Sequence, residues 1–222
     1  MKKIAEPSKY KPRVIDSAVC RYLSTFGAVC IEGPKWCGKT WTSSFHSKSE
    51  FLIGDPANNF QNRALAEISP SIVLEGETPR LLDEWQEVPS IWDAVRYTVD
   101  GRAEKGQFIL TGSSTPKRKG VLHSGAGRIG RLRMRTMSLY ESGESSGTVS
   151  LEELCNGKIT PAMTGEVSLR DLAYYTVRGG WPGNLNVAPE NASLLPQSYL
   201  DAILDDDSQS IDGKKYDVAK MR

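Results

Sequence analysis

Gly33-Pro34-Lys35-Trp36-Cys37-Gly38-Lys39-Thr40 is the stretch on which the reading of this chain turns. It fits the pattern Gly-x-x-x-x-Gly-Lys-Ser/Thr. Two glycines let successive backbone N–H groups converge on an anion, the lysine adds a point charge, and the hydroxyl can hold Mg²⁺. At average residue usage such a match arises by chance on the order of once in a hundred chains of this length. Its surroundings sharpen it. Ala28-Val29-Cys30-Ile31 before it is an apolar run of buried-strand type, and Trp41 to Ser47 after it can continue as a helix. Strand, glycine loop and helix make a triphosphate-binding order, so the loop from Gly33 to Thr40 and the adjoining Trp41 are the expected nucleotide contacts.

Upstream, Ile15, Val19, Tyr22 and Leu23 recur at helical spacing before Gly27 interrupts. Downstream, Phe51 to Ile53 is a weak strand, Asn58 to Ile68 a helix ended by Pro70, and Ile72 to Leu74 another short apolar run. Leu81 and Leu82 lead into Asp83 and Glu84. Ile91, Val95 and Val99 mark a helix from about Ser90 to Lys105, and Phe108 to Thr111 is a strand ending at Gly112, Ser113 and Ser114. This alternation predicts an α/β fold with a mostly parallel sheet flanked by helices, because parallel neighbours need long returns that a helix fills. After a loop rich in Gly, Lys and Arg, Arg131 to Arg135 reads as an edge strand. Beyond Ser138 the pattern is helical and looser, with candidates at 151–154, 169–177 and 194–204. An acidic loop at Asp205 to Asp207 and Asp212 follows, and then the first turns of a helix at Tyr216 to Arg222. The expected organisation is a core over 1–140 and a helical lid region over 141–222, incomplete at its C-terminal end.

Asp83 and Glu84 follow Lys39 by about 44 residues. A carboxylate leaving a buried strand beside the loop can hold the metal's water shell, and its neighbour can polarise an attacking water. The tandem therefore suits a hydrolase better than a kinase. Thr111 or Ser113 is placed to hydrogen-bond the γ phosphate or the water. Lys117, Arg118, Lys119, Arg128, Arg131, Arg133 and Arg135 occupy a stretch free of acidic residues before Glu141. Arg128 or Arg131 is the expected catalytic arginine, acting in its own chain or supplied in trans within a homo-oligomer. The same charges could form a nucleic-acid track, although no interleaved aromatics support base stacking. Gly179 to Gly183 is a compact turn that serves either as a helix stop or as a ligand contact.

Twenty-eight basic residues against 27 acidic ones, a net charge of +1, exclude recognition of a partner by whole-molecule charge. Neither a leader nor an apolar run of 18 residues occurs, so a cytoplasmic protein without membrane partners is expected. Cys20, Cys30, Cys37 and Cys155 form no CxxC pair. Four free thiols are expected in preference to a Cys30–Cys37 disulfide, which would clamp the loop, and neither His46 nor His123 is assigned a ligand role. Cys37, inside the loop, is expected to make the site sensitive to thiol reagents. A guanine-reading [NT]KxD segment is missing, because Gly213-Lys214-Lys215-Tyr216-Asp217 lacks the Asn or Thr.

Taken together, GPKWCGKT at 33–40, LLDEWQEVPSIWDAVR at 81–96, ILTGSS at 109–114, HSGAGRIGRLRMRTMSLYE at 123–141 and GGWP at 179–182 span about 150 residues in order. They resemble the bacterial and archaeal AAA-type P-loop ATPases that carry a C-terminal domain of unknown function. The resemblance implies ATP and Mg²⁺ as ligands, with Lys39 on the phosphates, Thr40 and Asp83 on the metal and Glu84 on the water. It also implies a sensor role for Ser113 or Thr111, and an adenine contact from the turn containing Gly180 and Pro182. Relatives of this kind continue into a winged-helix region and a nuclease-like domain, so ATP turnover is expected to drive a C-terminal effector. The alternatives are an ATP-gated binding module with negligible hydrolysis, DNA-associated in one version, and a small-molecule kinase.

Overall fold

The computed structural model describes residues 4–113, 121–158, 161–163 and 165–204. The expected features at Lys117 to Lys119, at the acidic loop from Asp205 and at Tyr216 to Arg222 lie outside the described residues. The chain divides into two units, Met1–Arg135 and Thr136–Arg222.

The first unit alternates helices and strands: α1 (Asp16–Thr25), β1 (Ala28–Gly33), α2 (Lys39–His46), β2 (Ser49–Leu52), α3 (Ala57–Ile68), α4 (Pro70–Val73), β3 (Arg80–Asp83), α5 (Ser90–Arg102), β4 (Phe108–Ser113) and β5 (Ile129–Arg133). All four strand pairings are parallel, in the order β2-β3-β4-β1-β5, with β5 at the edge as its alternating pattern predicts. Ala28 to Ile31 reads as a continuous apolar run because both faces of β1 are covered. Ala28 and Cys30 join Phe108, Leu110, Leu82, Trp92, Val95 and Val99 on one face. Val29 and Ile31 join Ile109, Leu132, Met134 and Val19 on the other. The Ile72–Leu74 run belongs to a helical turn, not a strand. Pro70 opens it, where a missing N–H costs nothing and the fixed φ suits a first turn.

Parallel register aligns the carboxyl ends that matter. Ile31 sits opposite Thr111 and Gly33 opposite Ser113, while Leu82 opposite Leu110 brings Asp83 to the level of Thr111. Three strands thus deliver their polar ends to one edge of the sheet, the position at which open α/β sheets bind ligands.

The second unit contains α6 (Leu139–Ser142), α7 (Leu151–Cys155), α8 (Leu169–Arg178) and α9 (Leu194–Ala202). Ser138 with Glu141, and Ser168 with Asp171, form reciprocal capping boxes that satisfy the first N–H groups of α6 and α8. Arg178 is buried at 2% exposure, and it is paired: Nη1 lies 2.7 Å from Glu144 Oε1, with the Tyr174 and Tyr175 rings against the guanidinium. The Arg178 hydrogen bond holds the Glu144 carboxyl below its usual range. Among the described residues no helix is long and apolar enough to cross a membrane.

Candidate nucleotide-binding site

The loop between β1 and α2 wraps tightly for two local reasons. Gly33 has no room for a side chain, since a Cβ there would meet the Met134 carbonyl oxygen at 2.4 Å. Gly38, at φ 102, makes the left-handed turn that starts α2. Two non-glycine residues of the site, Trp36 at φ 63 and Glu84 at φ 57, also hold left-handed conformations. Each costs on the order of 1 kcal/mol, the kind of local strain that collects at functional sites. Lys39 is 6% exposed, and its Nζ donates to the Pro34 carbonyl at 2.9 Å, across the mouth of the loop. The first N–H groups of α2 have no partner within the helix, so the loop and helix end offer donors and positive potential to an anion.

Thr40 Oγ1 donates to Asp83 Oδ1 at 3.0 Å, joining two motifs 43 residues apart. Thr111 Oγ1 donates to the same oxygen, and Glu84 N donates to Thr111 Oγ1 at 3.2 Å. The Thr111 hydroxyl is therefore committed to fixing the Asp-Glu pair. Of Ser113 the structure gives the backbone position, level with Gly33. Burial pushes the Asp83 carboxyl above its ordinary range and the Glu84 charge adds to that, against hydrogen bonds from Thr111 and Thr40 and the charge of Lys39.

These residues fit a bound Mg²⁺ and phosphate. A hydroxyl and a carboxylate oxygen 3.0 Å apart have the spacing of adjacent oxygens around a cation with bonds of about 2.1 Å. Asp83 is also a partly desolvated carboxylate that a cation would stabilise. Beside it, Gln86 Nε2 donates to Glu84 Oε2, while Trp85 Nε1 and Gln86 Oε1 are buried with no partner among the described residues. Orphaned polar atoms of this kind call for a ligand or an ordered water.

Two residues to which the sequence assigned no role lie against the loop and the Asp-Glu pair. Arg13 is buried, with Nη1 2.8 Å from the Cys37 carbonyl and Nη2 2.9 Å from the Arg135 carbonyl, so it ties the loop to the chain leaving β5. Gln86 holds the Glu84 carboxylate. The only sequence signal for Gln86 was its place in the Asp83-Glu84-Trp85-Gln86 string, and Arg13 had none.

Other expectations fall elsewhere. Cys37 is 0% exposed among Val19, Ile31 and Met134, and burial pushes its thiol up, outweighing the charges of Lys39 and Arg13. The expected thiol sensitivity of the loop through Cys37 is thereby overturned. The structure does not bring Arg128 to the loop. Its carbonyl accepts from Ala28 N at the start of β1, five residue steps or about 16 Å from Gly33, and its Nε bonds Asp100 Oδ1 at 2.8 Å. Arg131 stands opposite Cys30, and its guanidinium lies over the Trp92 ring at 4.9 Å. Lys35 and Trp41 flank the turn, with Trp36 and Trp41 both exposed. Gly180 and Pro182 belong to the second unit. A Cβ at Gly180 would meet the Met137 carbonyl oxygen at 2.1 Å, and Pro182 opens a 3₁₀ turn, so this turn has a structural reason of its own.

A five-stranded parallel sheet with a glycine loop at its carboxyl edge defines an α/β domain of the P-loop nucleotide-binding type. Residues 25–143, just over half of the chain, match the family described as AAA domain, and the chain belongs to that family. Membership points to nucleotide binding and ATPase activity. The chain is also 28% identical over 129 residues to an uncharacterized protein of Mycobacterium bovis and, to the same extent, to one of Mycobacterium tuberculosis. Those matches cover 57% of this chain and 29% of each relative, so the chain spans less than a third of their length.

Proposed function

We propose that this chain binds ATP with Mg²⁺ and hydrolyses it. Lys39 and the amides of the Gly33–Thr40 loop hold the phosphates, and Thr40 and Asp83 hold the metal. Glu84 takes the proton of the attacking water, and Ser113 reads the γ phosphate from the neighbouring strand. When bound, Mg²⁺ supplies neutralisation of the charge on the β and γ oxygens. The observation that carries the reading is the hydrogen-bonded line from Thr40 through Asp83 to Thr111 and the Glu84 amide. It joins the loop hydroxyl, the metal carboxylate and the water-activating residue at one edge of the sheet. Turnover is coupled to a C-terminal effector region; the mycobacterial relatives are longer than the matched stretch, which leaves room for a further region on one side or the other. Arg128 precedes β5 at the end far from its own loop, so Arg128, if it acts on a γ phosphate, does so on that of a second copy of the chain.

Phosphate release and ATP binding by the purified chain test this. Lys39→Ala is expected to lose both, whereas Glu84→Gln keeps binding and loses about 10²- to 10³-fold in turnover, since only the base is removed. Unchanged hydrolysis in both variants defeats the reading. A second reading, an ATP-gated module with negligible hydrolysis, has one observation in its favour: the Glu84 carboxylate is tied to Gln86. Tight ATP binding without phosphate release at several protein concentrations would select it.

A further inference from the structure

Helices α1 and α2 bring a carboxylate, an imidazole and a thiol into line outside the phosphate site. Asp16 and Cys20 are one turn apart on α1 and so share a face, and His46 closes α2. His46 Nε2 lies 3.0 Å from Asp16 Oδ1, and His46 Nδ1 lies 3.9 Å from Cys20 Sγ. Asp16 also accepts from the Tyr10 hydroxyl and from Arg13 N, each at 2.7 Å. Burial works against its ionisation, but the hydrogen bonds from His46, Arg13 N and Tyr10 outweigh it and hold the carboxyl below its usual range. An ionised carboxylate only accepts, so in the neutral ring Nε2 carries the proton and Nδ1 presents its lone pair to the thiol. The ring is braced edge-on by Phe45, which stacks on Tyr10 with centroids 4.1 Å apart. Cys20 is exposed, so a small solute can reach the sulfur, while Cys30 and Cys37 are buried.

We infer that Cys20 is a reactive-thiol site that takes small-molecule disulfides, with His46 as its base and Asp16 orienting the base. As Sγ attacks one sulfur of R–S–S–R, its proton passes to His46 Nδ1. A bond forms between Cys20 and that sulfur, the original S–S bond breaks, and the departing thiolate takes the proton back from Nδ1 and leaves as RSH. Cys20 ends oxidised, as a mixed disulfide, and one half of the reagent ends reduced. The inference stands apart from the ATP reading, since none of its three residues lies in the phosphate loop or the Asp-Glu pair. Cys155 supplies an internal reference: it is also exposed, and its sulfur has no hydrogen-bond partner among the described residues.

The full chain is treated with excess 4,4′-dithiodipyridine at neutral pH, quenched in acid at intervals, and each cysteine is quantified by peptide mass spectrometry. Cys20 is expected to react at least about a hundredfold faster than Cys155, the low end of what a positioned base contributes. In His46→Gln the Cys20 rate is expected to fall to that of Cys155, with Cys155 itself unchanged. A wild-type Cys20 rate no greater than that of Cys155 overturns the inference, as does a Cys20 rate indifferent to His46→Gln. The wild-type comparison decides alone if the variant does not fold.

Discussion

The two edges of the sheet in the Met1–Arg135 unit are built on opposite terms. At the carboxyl edge, backbones approach until a Cβ no longer fits at Gly33, a carboxylate is partly withdrawn from water at Asp83, and hydroxyls are shared among neighbours. At the amino edge, Val99, Asp100, Ala103, Glu104, Lys105 and Arg128 are among the residues that line an open recess, and the Arg128–Asp100 pair is 49% and 39% exposed. One edge accepts destabilising features in return for a preorganised site, whereas the other is an ordinary solvated rim. Substitutions at the first should trade stability against activity, and substitutions at the second should do neither within a single chain.

Asp83→Asn should show the largest effect. Loss of the metal carboxylate is expected to lower turnover by about 10³-fold, in line with removal of a main electrostatic group. The apo protein should become more stable, by about 0.5–2 kcal/mol. Because burial raises the proton affinity of Asp83 in the folded chain, the folded state holds more protons than the unfolded one between the ordinary carboxylate range and the raised folded value. Stability therefore falls as pH rises through that window, and the loss persists at neutral pH. Asn cannot ionise, and it keeps an oxygen for Thr40 and Thr111. Thermal melts without nucleotide from pH 4 to 8 should show the variant gaining on the parent as pH rises. A variant less stable than its parent at pH 7 would mean that Asp83 is a structural acceptor first.

Gly33→Ala comes next. The Met134 carbonyl in its way is backbone and cannot swing aside, so the loop or the end of β5 must shift. A stability loss of about 1–3 kcal/mol, of the size seen on overpacking a tight site, is expected by denaturant titration. ATP affinity should weaken with it. Retention of full affinity would show that the close approach is incidental to the loop's shape.

Much of the carboxyl edge was legible because its signals are local. The apolar run at Ala28 to Ile31, the glycine spacing and the Leu81–Leu82 lead into Asp83 each depend on a few neighbouring residues, and their juxtaposition follows from parallel pairing. What escaped depends on distant packing. Cys37 looks like an accessible loop thiol until Val19 and Met134 cover it, and Arg13 carries no pattern until Cys37 and Arg135 turn their carbonyls to it. Arg128 looked available to the loop because sequence proximity to β5 does not reveal which end of that strand it occupies; the register of Ala28 with Ile129 does.

Gln86→Ala sharpens the contrast at smaller scale. It leaves the Glu84 carboxylate without its partner, and turnover is expected to change by about tenfold while ATP affinity holds, since a hydrogen bond to a charged group contributes about 1.5–3 kcal/mol. A fall means that Gln86 positions the base, and a rise means that it restrains the base. No change in kcat would exclude both roles.

Arg128→Ala should have the smallest effect on the isolated chain. An exposed ion pair contributes about 0–1 kcal/mol, so the melting transition should barely move. At high dilution, turnover should match the parent, because the residue sits at the wrong end of β5 to reach its own loop. The two edges can meet only between copies. If an arginine is supplied in trans, parental turnover per chain rises with protein concentration and that rise is lost in Arg128→Ala. It returns when the variant is mixed with Lys39→Ala, whose inactive loop is paired with an intact arginine. Failure of that mixture to recover activity would leave the amino edge as the passive rim that its exposure suggests.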